Sequence, residues 1–491
     1  MKPATLKYPI LLIVCAAIVS RIPYLLNPHL FLDGDECIIA LMAKLMYEGK
    51  NFSLFFWGQN YGLAIFETLA IIPFYLLLGY TTLAVKLGIF SLWIVGVIFL
   101  YRALVAITGG NIYISFIVTL FFVLFPAWGS WCMKPTGGYV TAFMLSNILL
   151  YLVFAKRIRK GILLFIISGI ILELIFESQR LWLAGLLPLT LYALRKEYSI
   201  AKVLSMLGVL TVLLYFFHTY KQGITIVHTM PLELPEANKV QSYITRFPDY
   251  LYHSLCGDYY FNQFPNHDLF IAIMAAIGYI LFFALFIIGV YRLFNRKKDY
   301  LFFVSLIFMP VTFGYTFVTY IMEGRYLIPV AGFLCIPLAL YLKGYSNHGL
   351  LKPAAILTGI IGIGSCINFY NFYEVSGEYK KSVLETVDYL NKNHIAYTYS
   401  TDCMLPYQII FYSEGKILSR MPFQPARYQP YSDAVDSAFD SGGKVAMLQY
   451  SGQTMGMQYL FDKKTVDISI CINPPISEMW KGIEFRHKHT K

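Results

Sequence analysis

Most of this chain is apolar in long runs, and short clusters of lysine and arginine separate the runs. Twelve runs stand at roughly 8–26, 61–78, 83–104, 112–128, 138–155, 161–177, 181–194, 200–218, 268–292, 300–320, 326–342 and 353–371. A backbone surrounded by lipid has no water to bond, so runs of this kind can sit there only as helices. The chain is expected to be an α-helical polytopic membrane protein with about 11–13 membrane segments. The clusters Lys156–Lys160, Arg195–Lys196, Arg292–Lys298 and Lys343–Lys352 read as cytoplasmic loops. The opening residues, with Lys2 and Lys7, read as the cytoplasmic start of an uncleaved signal anchor. Those assignments put Gly129–Gly138, Glu177–Arg180, a large loop at 219–267, Glu323–Arg325 and everything beyond Phe372 outside. They also require one segment, 61–78 or a short one within 161–194, not to cross fully.

The formal charge of +11 does not point to nucleic acid, because the cations lie between apolar runs, where membrane topology places them. Attraction to anionic lipid or a phosphate-bearing substrate is a second use of the same charge. Eight cysteines show no CxxC. Cys15, Cys335 and Cys366 read as packing residues in apolar runs, and Cys403 and Cys471 could pair if their region lies outside. His218, His228, His253 and His267 have no ligand spacing.

Only 14% of residues are charged, so three acids at one membrane boundary stand out: Asp33, Asp35 and Glu36, just after the first run. The stripe Ile38, Leu41, Met42, Leu45 and Met46 follows at helical spacing, with Lys44 and Glu48 on the polar side. It reads as an interfacial helix within a first outer loop at 27–60. The structural alternative is that Asp35 caps this helix and Glu36 favours its positive end. That leaves the third acid without a reason, and ionisable groups at membrane depth mark functional sites.

Other candidates are scattered along the chain. Gln59 and Tyr61 lie in Trp57–Gly62, which suits a sugar ring or equally an interfacial aromatic belt, and Glu67 follows inside an apolar run. Arg21 either snorkels or supplies a cation to the acids, and Lys134 and Arg180 are further cations in outer loops. Arg325 and Tyr326, before Pro329, place an arginine fork suited to phosphate between two long runs. From residue 374 the composition changes. A helix over Lys380–Asn393 and strand-like runs at Ala396–Ser400, Ile409–Tyr412, Lys444–Tyr450 and Val466–Ile472 read as a soluble α/β domain, 374–491, appended to a membrane domain, 1–373.

At these residues the chain resembles the polytopic GT-C glycosyltransferases, including the protein mannosyltransferases and the aminoarabinose transferase of lipid A. The likeness rests on Asp35-Glu36 in the first outer loop, a helix ending at Gly49, Gln59, Tyr61 and Gly62 with Glu67, and the late Arg325, Tyr326 and Pro329. It implies a sugar donor linked to polyprenyl phosphate, a glycan, lipid or protein acceptor, an inner-membrane location and an active site facing the extracytoplasmic side. Asp35 would be the general base with Asp33 as alternate, Arg325, with Arg21 or Lys134, would hold the phosphate, and the reaction would invert the anomeric centre. Because Asp33-Gly34-Asp35 looks like a DxD, a divalent ion, Mg or Mn, held by Asp33 and Asp35 enters as an expectation. The competing classes are a polytopic transporter or lipid-linked glycan flippase, whose repeated halves the sequence lacks, and an envelope assembly scaffold.

Overall fold

The computed structural model describes residues 4–125, 128–129, 131–155, 161–224, 300–306, 328–343, 379–422, 426–450, 463–464 and 468–472, with a few isolated positions between them. The membrane part is a helical bundle. Among the described residues up to 224, its α-helices are α1 (Ala4–Leu25), α2 (Gly34–Tyr47), α3 (Ile65–Leu78), α4 (Thr82–Ile107), α5 (Ile112–Leu124), α6 (Tyr139–Phe154), α7 (Ile162–Ser178), α8 (Leu183–Leu194) and α9 (Ile200–Gln222). Helices Tyr300–Leu306 and Ile328–Lys343 pack against α8 and α5. Among the described residues, α1, α4 and α9 are long and apolar enough to cross a membrane. By contrast α3 has 14 residues, about 21 Å of rise against a hydrocarbon core of about 30 Å.

The bundle is organised around α4. Its N-cap Thr81 accepts a bond from the Ala84 N–H (3.2 Å), and the helix packs along α3 and α6. Small residues permit the approach: a Cβ on Gly88 would lie 2.7 Å from the Ile71 Cα, and one on Gly96 2.6 Å from the Phe143 ring. Trp93, Phe122, Trp128, Phe143 and Trp182 form one aromatic core, with ring centroids 4.8–6.4 Å apart. Such pairs add to burial through their offset and tilted geometry.

The second body is a five-stranded mixed sheet of β1 (Tyr397–Ser400), β2 (Leu418–Arg420), β3 (Val445–Tyr450), β4 (Lys463–Lys464) and β5 (Ile468–Ile472), in the order β2-β1-β3-β5-β4. β1 runs parallel to β2 and β3, while β5 is antiparallel to β3 and β4. Alternating side chains serve two layers. Ala446 and Leu448 face a helix over 379–392 and the Leu405–Tyr412 helix, whereas Tyr399, Met447 and Cys471 face Val435 of the Gln429–Asp440 helix.

Three expectations are corrected here. Ile409–Tyr412 reads as a strand because of its β-branched and aromatic run, yet it is the end of the Leu405–Tyr412 helix. The Asp402 carboxylate caps that helix, accepting from the Met404 (2.7 Å) and Leu405 (3.0 Å) N–H groups, and Pro406 fits its first turn. Cys403 and Cys471 are not joined in a disulfide: one lies after β1, the other is buried against the Gln429–Asp440 layer. Finally, α2 is no surface helix with one wet side. Ile38, Leu41, Met42 and Leu45 are buried, and so are Ile39, Ala40 and Ala43 around the cylinder. One side packs on α3, where the Tyr75 hydroxyl donates to the Ala40 carbonyl (3.0 Å), and another packs on the Leu405–Tyr412 helix. Its all-round apolar middle is satisfied by two protein partners rather than by lipid and water.

Candidate active site

The site grows from the first turn of α2. Asp33, rather than Asp35, is the N-cap: its Oδ1 accepts the Glu36 N–H (2.9 Å) while Glu36 Oε2 accepts the Asp33 N–H (3.0 Å), a complete capping box. Each acid has one oxygen left, and each meets a lysine. Asp33 Oδ2 pairs with Lys134 Nζ at 2.5 Å, and Glu36 Oε1 pairs with Lys86 of α4. The Glu36 and Lys86 side chains are only 4% and 2% exposed, so neither charge has water to turn to. Burial pushes the Asp33 carboxyl up, but the Lys134 charge and hydrogen bond, with the Glu36 N–H, outweigh it and hold Asp33 below the usual carboxylate range. Glu36 goes the other way: burial, reinforced by the Asp33 charge, leaves it raised despite Lys86. The positive end of α2 adds to the two ammonium groups.

Asp35 sits half-buried in the same turn, on the side of the sheet domain. Burial first, then the Asp402 charge and more weakly the Asp35 charge, push the Cys403 thiol up. The turn abuts the loop after β1: a Cβ on Gly34 would lie 2.4 Å from the Met404 Cβ. The preceding chain runs along the same domain. Leu32 N–H donates to the Tyr412 hydroxyl (2.8 Å), Phe31 stacks on Tyr412 at 5.3 Å, and Lys380 Nζ donates to the Pro28 carbonyl (2.7 Å).

Glu67 is fully buried, and its two oxygens accept the N–H groups of Gly137 (3.0 Å) and Gly138 (2.8 Å). Both glycines have positive φ, 71° and 109°, so the loop that carries Lys134 takes a turn that a side chain would strain. Glu67 thus shapes the loop that delivers Lys134 to Asp33. Arg21 is also fully buried. It donates to the Val123 (2.7 Å) and Trp128 (3.4 Å) carbonyls and lies over the Trp93 ring at 5.1 Å, tying α1 to α5 and to the start of the same loop. Gln59 and Tyr61 are half-buried on a turn whose base is fixed by the Gly62 and Leu63 N–H groups on the Glu177 carbonyl (3.0 and 3.1 Å). Arg180 covers the Phe176 ring at 4.6 Å. Arg325 and Tyr326 lie outside the described residues.

Sequence reasoning missed Lys86, and with it half of the charge network. Its signal was present, a cation near the start of a largely apolar 26-residue helix whose other cation, Arg102, lies near the far end. It also missed the pair between buried Glu177 and half-buried Lys221, and the stacking of Trp57 on Tyr428 (4.3 Å). The residues present do not fit a divalent ion at Asp33 and Asp35. Asp33 spends its oxygens on Lys134 and the Glu36 N–H, and among the described residues no three His, Cys, Asp or Glu side chains converge.

No family model matches the chain, and no curated protein matches it. Solved structures similar in fold include two of one protein. The crystal structure of ArnT from Cupriavidus metallidurans bound to undecaprenyl phosphate aligns over 94% of this chain and 97% of that one, at 11% identity and a TM-score of 0.59. The apo structure of the same protein aligns over 97% and 99%, at 10% identity and a TM-score of 0.60. The likeness takes in the helical bundle and the sheet domain together, so the fold is GT-C-like, as the sequence resemblance implies.

Proposed function

We propose that the protein is a membrane glycosyltransferase that moves a sugar from a polyprenyl-phosphate carrier to an extracytoplasmic envelope acceptor, be it glycan, lipid or protein. The observation that carries the reading is the paired charge cluster at the start of α2, Asp33–Lys134 and Glu36–Lys86, roofed by the sheet domain with Asp35 on the near side. A solved protein of this fold binds undecaprenyl phosphate. The chemistry assigned to the residues follows from charge. Asp35 takes the proton from the acceptor hydroxyl as that oxygen attacks the anomeric carbon. The bond from that carbon to the phosphate oxygen breaks on the opposite face, inverting the centre, and the polyprenyl phosphate departs with the electron pair. Lys134, Lys86 and the α2 N-terminus oppose the negative charge that develops there, with Arg325 as a further cation. Capping and ion pairing occupy Asp33; the role of base goes to Asp35 because Asp35-Glu36 resembles the acidic pair in the first outer loop of the GT-C enzymes. The reading sets the protein in the inner membrane with this site on the outer side.

The test is Asp35→Asn in the native host, with expression and thermal unfolding matched to wild type. Mass spectrometry of the envelope glycans should show one sugar missing, as in a deletion strain. A glycan profile identical to wild type would sink the assignment, and a flippase or scaffold that does not use the acid would give that profile.

A further inference from the structure

A shallow hollow, open to solvent, lies at the carboxyl ends of β1 and β2, lined by Cys403, Tyr407, Arg420, Arg427, Tyr428 and Ser432 among others. Connections leaving this end of parallel strands commonly leave room for a ligand. Two polar atoms in its lining are buried without partners. Arg420 is 5% exposed: its Nη1 is paired with Asp436 and its Nε donates to the Met421 carbonyl (3.4 Å), but Nη2 has no acceptor. Next to it, the Ser419 hydroxyl is buried and equally unpartnered. Buried donors are rarely left so, because each forfeits its water for nothing. Asp436 takes one edge of the Arg420 guanidinium and cancels its charge. Asp433 also acts on Arg420, and Arg427, at the rim, is a second cation that donates to the Trp57 carbonyl (3.4 Å) and lies over the Phe56 ring (5.4 Å). Tyr407, Tyr428 and Tyr431 supply flat apolar walls, with Tyr428 and Tyr431 set edge to face at 4.8 Å.

We infer that this hollow is a binding subsite for an anionic sugar unit of the acceptor. An oxyanion would meet the open edge of Arg420 and the Ser419 hydroxyl, and the sugar face would lie on the tyrosines. Cys403 borders the hollow, and its neighbour Met404 abuts Gly34, next to Asp35, so a glycan seated there lies close to the start of α2. The word acceptor rests on the transferase reading; the binding chemistry does not.

The experiment uses the full chain in nanodiscs, with glucuronic acid, glucose 6-phosphate and glucose as probes followed by saturation-transfer NMR and calorimetry. Arg420 is buried and ion-paired, so the rim variants Arg427→Ala and Tyr428→Ala carry the test, with thermal unfolding as the fold control. At least one anionic sugar should bind saturably, with glucose at least tenfold weaker. Both rim variants should lose at least tenfold, and farnesyl phosphate should not compete. Equal binding of glucose, indifference to both variants, or displacement by farnesyl phosphate (which would mark a donor site) would overturn the inference. Asp35→Asn should bind as wild type does. If that variant bound normally and still transferred sugar, the hollow would stand and the assigned base would fall.

Discussion

Asp33 shows how one residue can be legible as important and illegible in role. Three acids in a row of four positions announce a site, but nothing local says which of them caps the helix. The answer came from Lys134, about a hundred positions away, and from the reach of Glu36 to both the Asp33 N–H and Lys86. Because Lys134 and the Glu36 N–H hold Asp33 below its ordinary range, its stabilisation is present above the unfolded carboxyl pKa of about 4 and is lost as pH falls through the folded value. Glu36 is raised, so its contribution has the opposite sign and fades as pH rises. The expected outcome is that Asp33→Asn, which keeps a competent cap, unfolds at lower temperature than wild type at pH 6. The gap should narrow toward pH 3, measured by thermal unfolding in detergent. A gap constant with pH would rule out the ion pair as its source.

At the scale of elements, the joint between α3 and the loop before α6 decides where Lys134 stands. Glu67→Gln replaces one accepting oxygen with an N–H₂ that faces a backbone donor, so one of the two glycine N–H groups loses its partner. The cost should be about 1–3 kcal/mol, read as a lower unfolding temperature. Glycan transfer should fall more than the stability loss alone explains, since the loop then no longer holds Lys134 on Asp33. Equal transfer per folded molecule would show that the clamp serves stability only. The sequence marked Glu67 as an ionisable group that must face the interior, and it does. Its partners were illegible because they are main-chain N–H groups, which carry no residue signature. The Leu405–Tyr412 helix fails to read as a helix for a related reason: both its faces are covered, so its sequence has no polar side to give a period of 3.6.

Across the whole molecule, the sheet domain and the first loop close over each other along Pro28–Gly34 and again at Trp57. Gly34→Leu should pry them apart, because even a Cβ at that position meets Met404 at 2.4 Å. Overpacking of this kind costs about 1–3 kcal/mol. The expected readout is faster protease cleavage near residue 374 together with loss of transfer, and a cleavage pattern unchanged from wild type would count against the docking. The membrane class, the helical bundle and the small C-terminal α/β part could all be read from the amino-acid order. Burial of apolar surface and the need to satisfy backbone in lipid act through composition and period, which a sequence displays. The tertiary structure alone decided which acid meets which lysine, that α2 is enclosed by protein, and that a hollow with bare donors faces the first loop. Those outcomes depend on charges and surfaces brought together from distant positions, and distance along a chain does not encode distance in space.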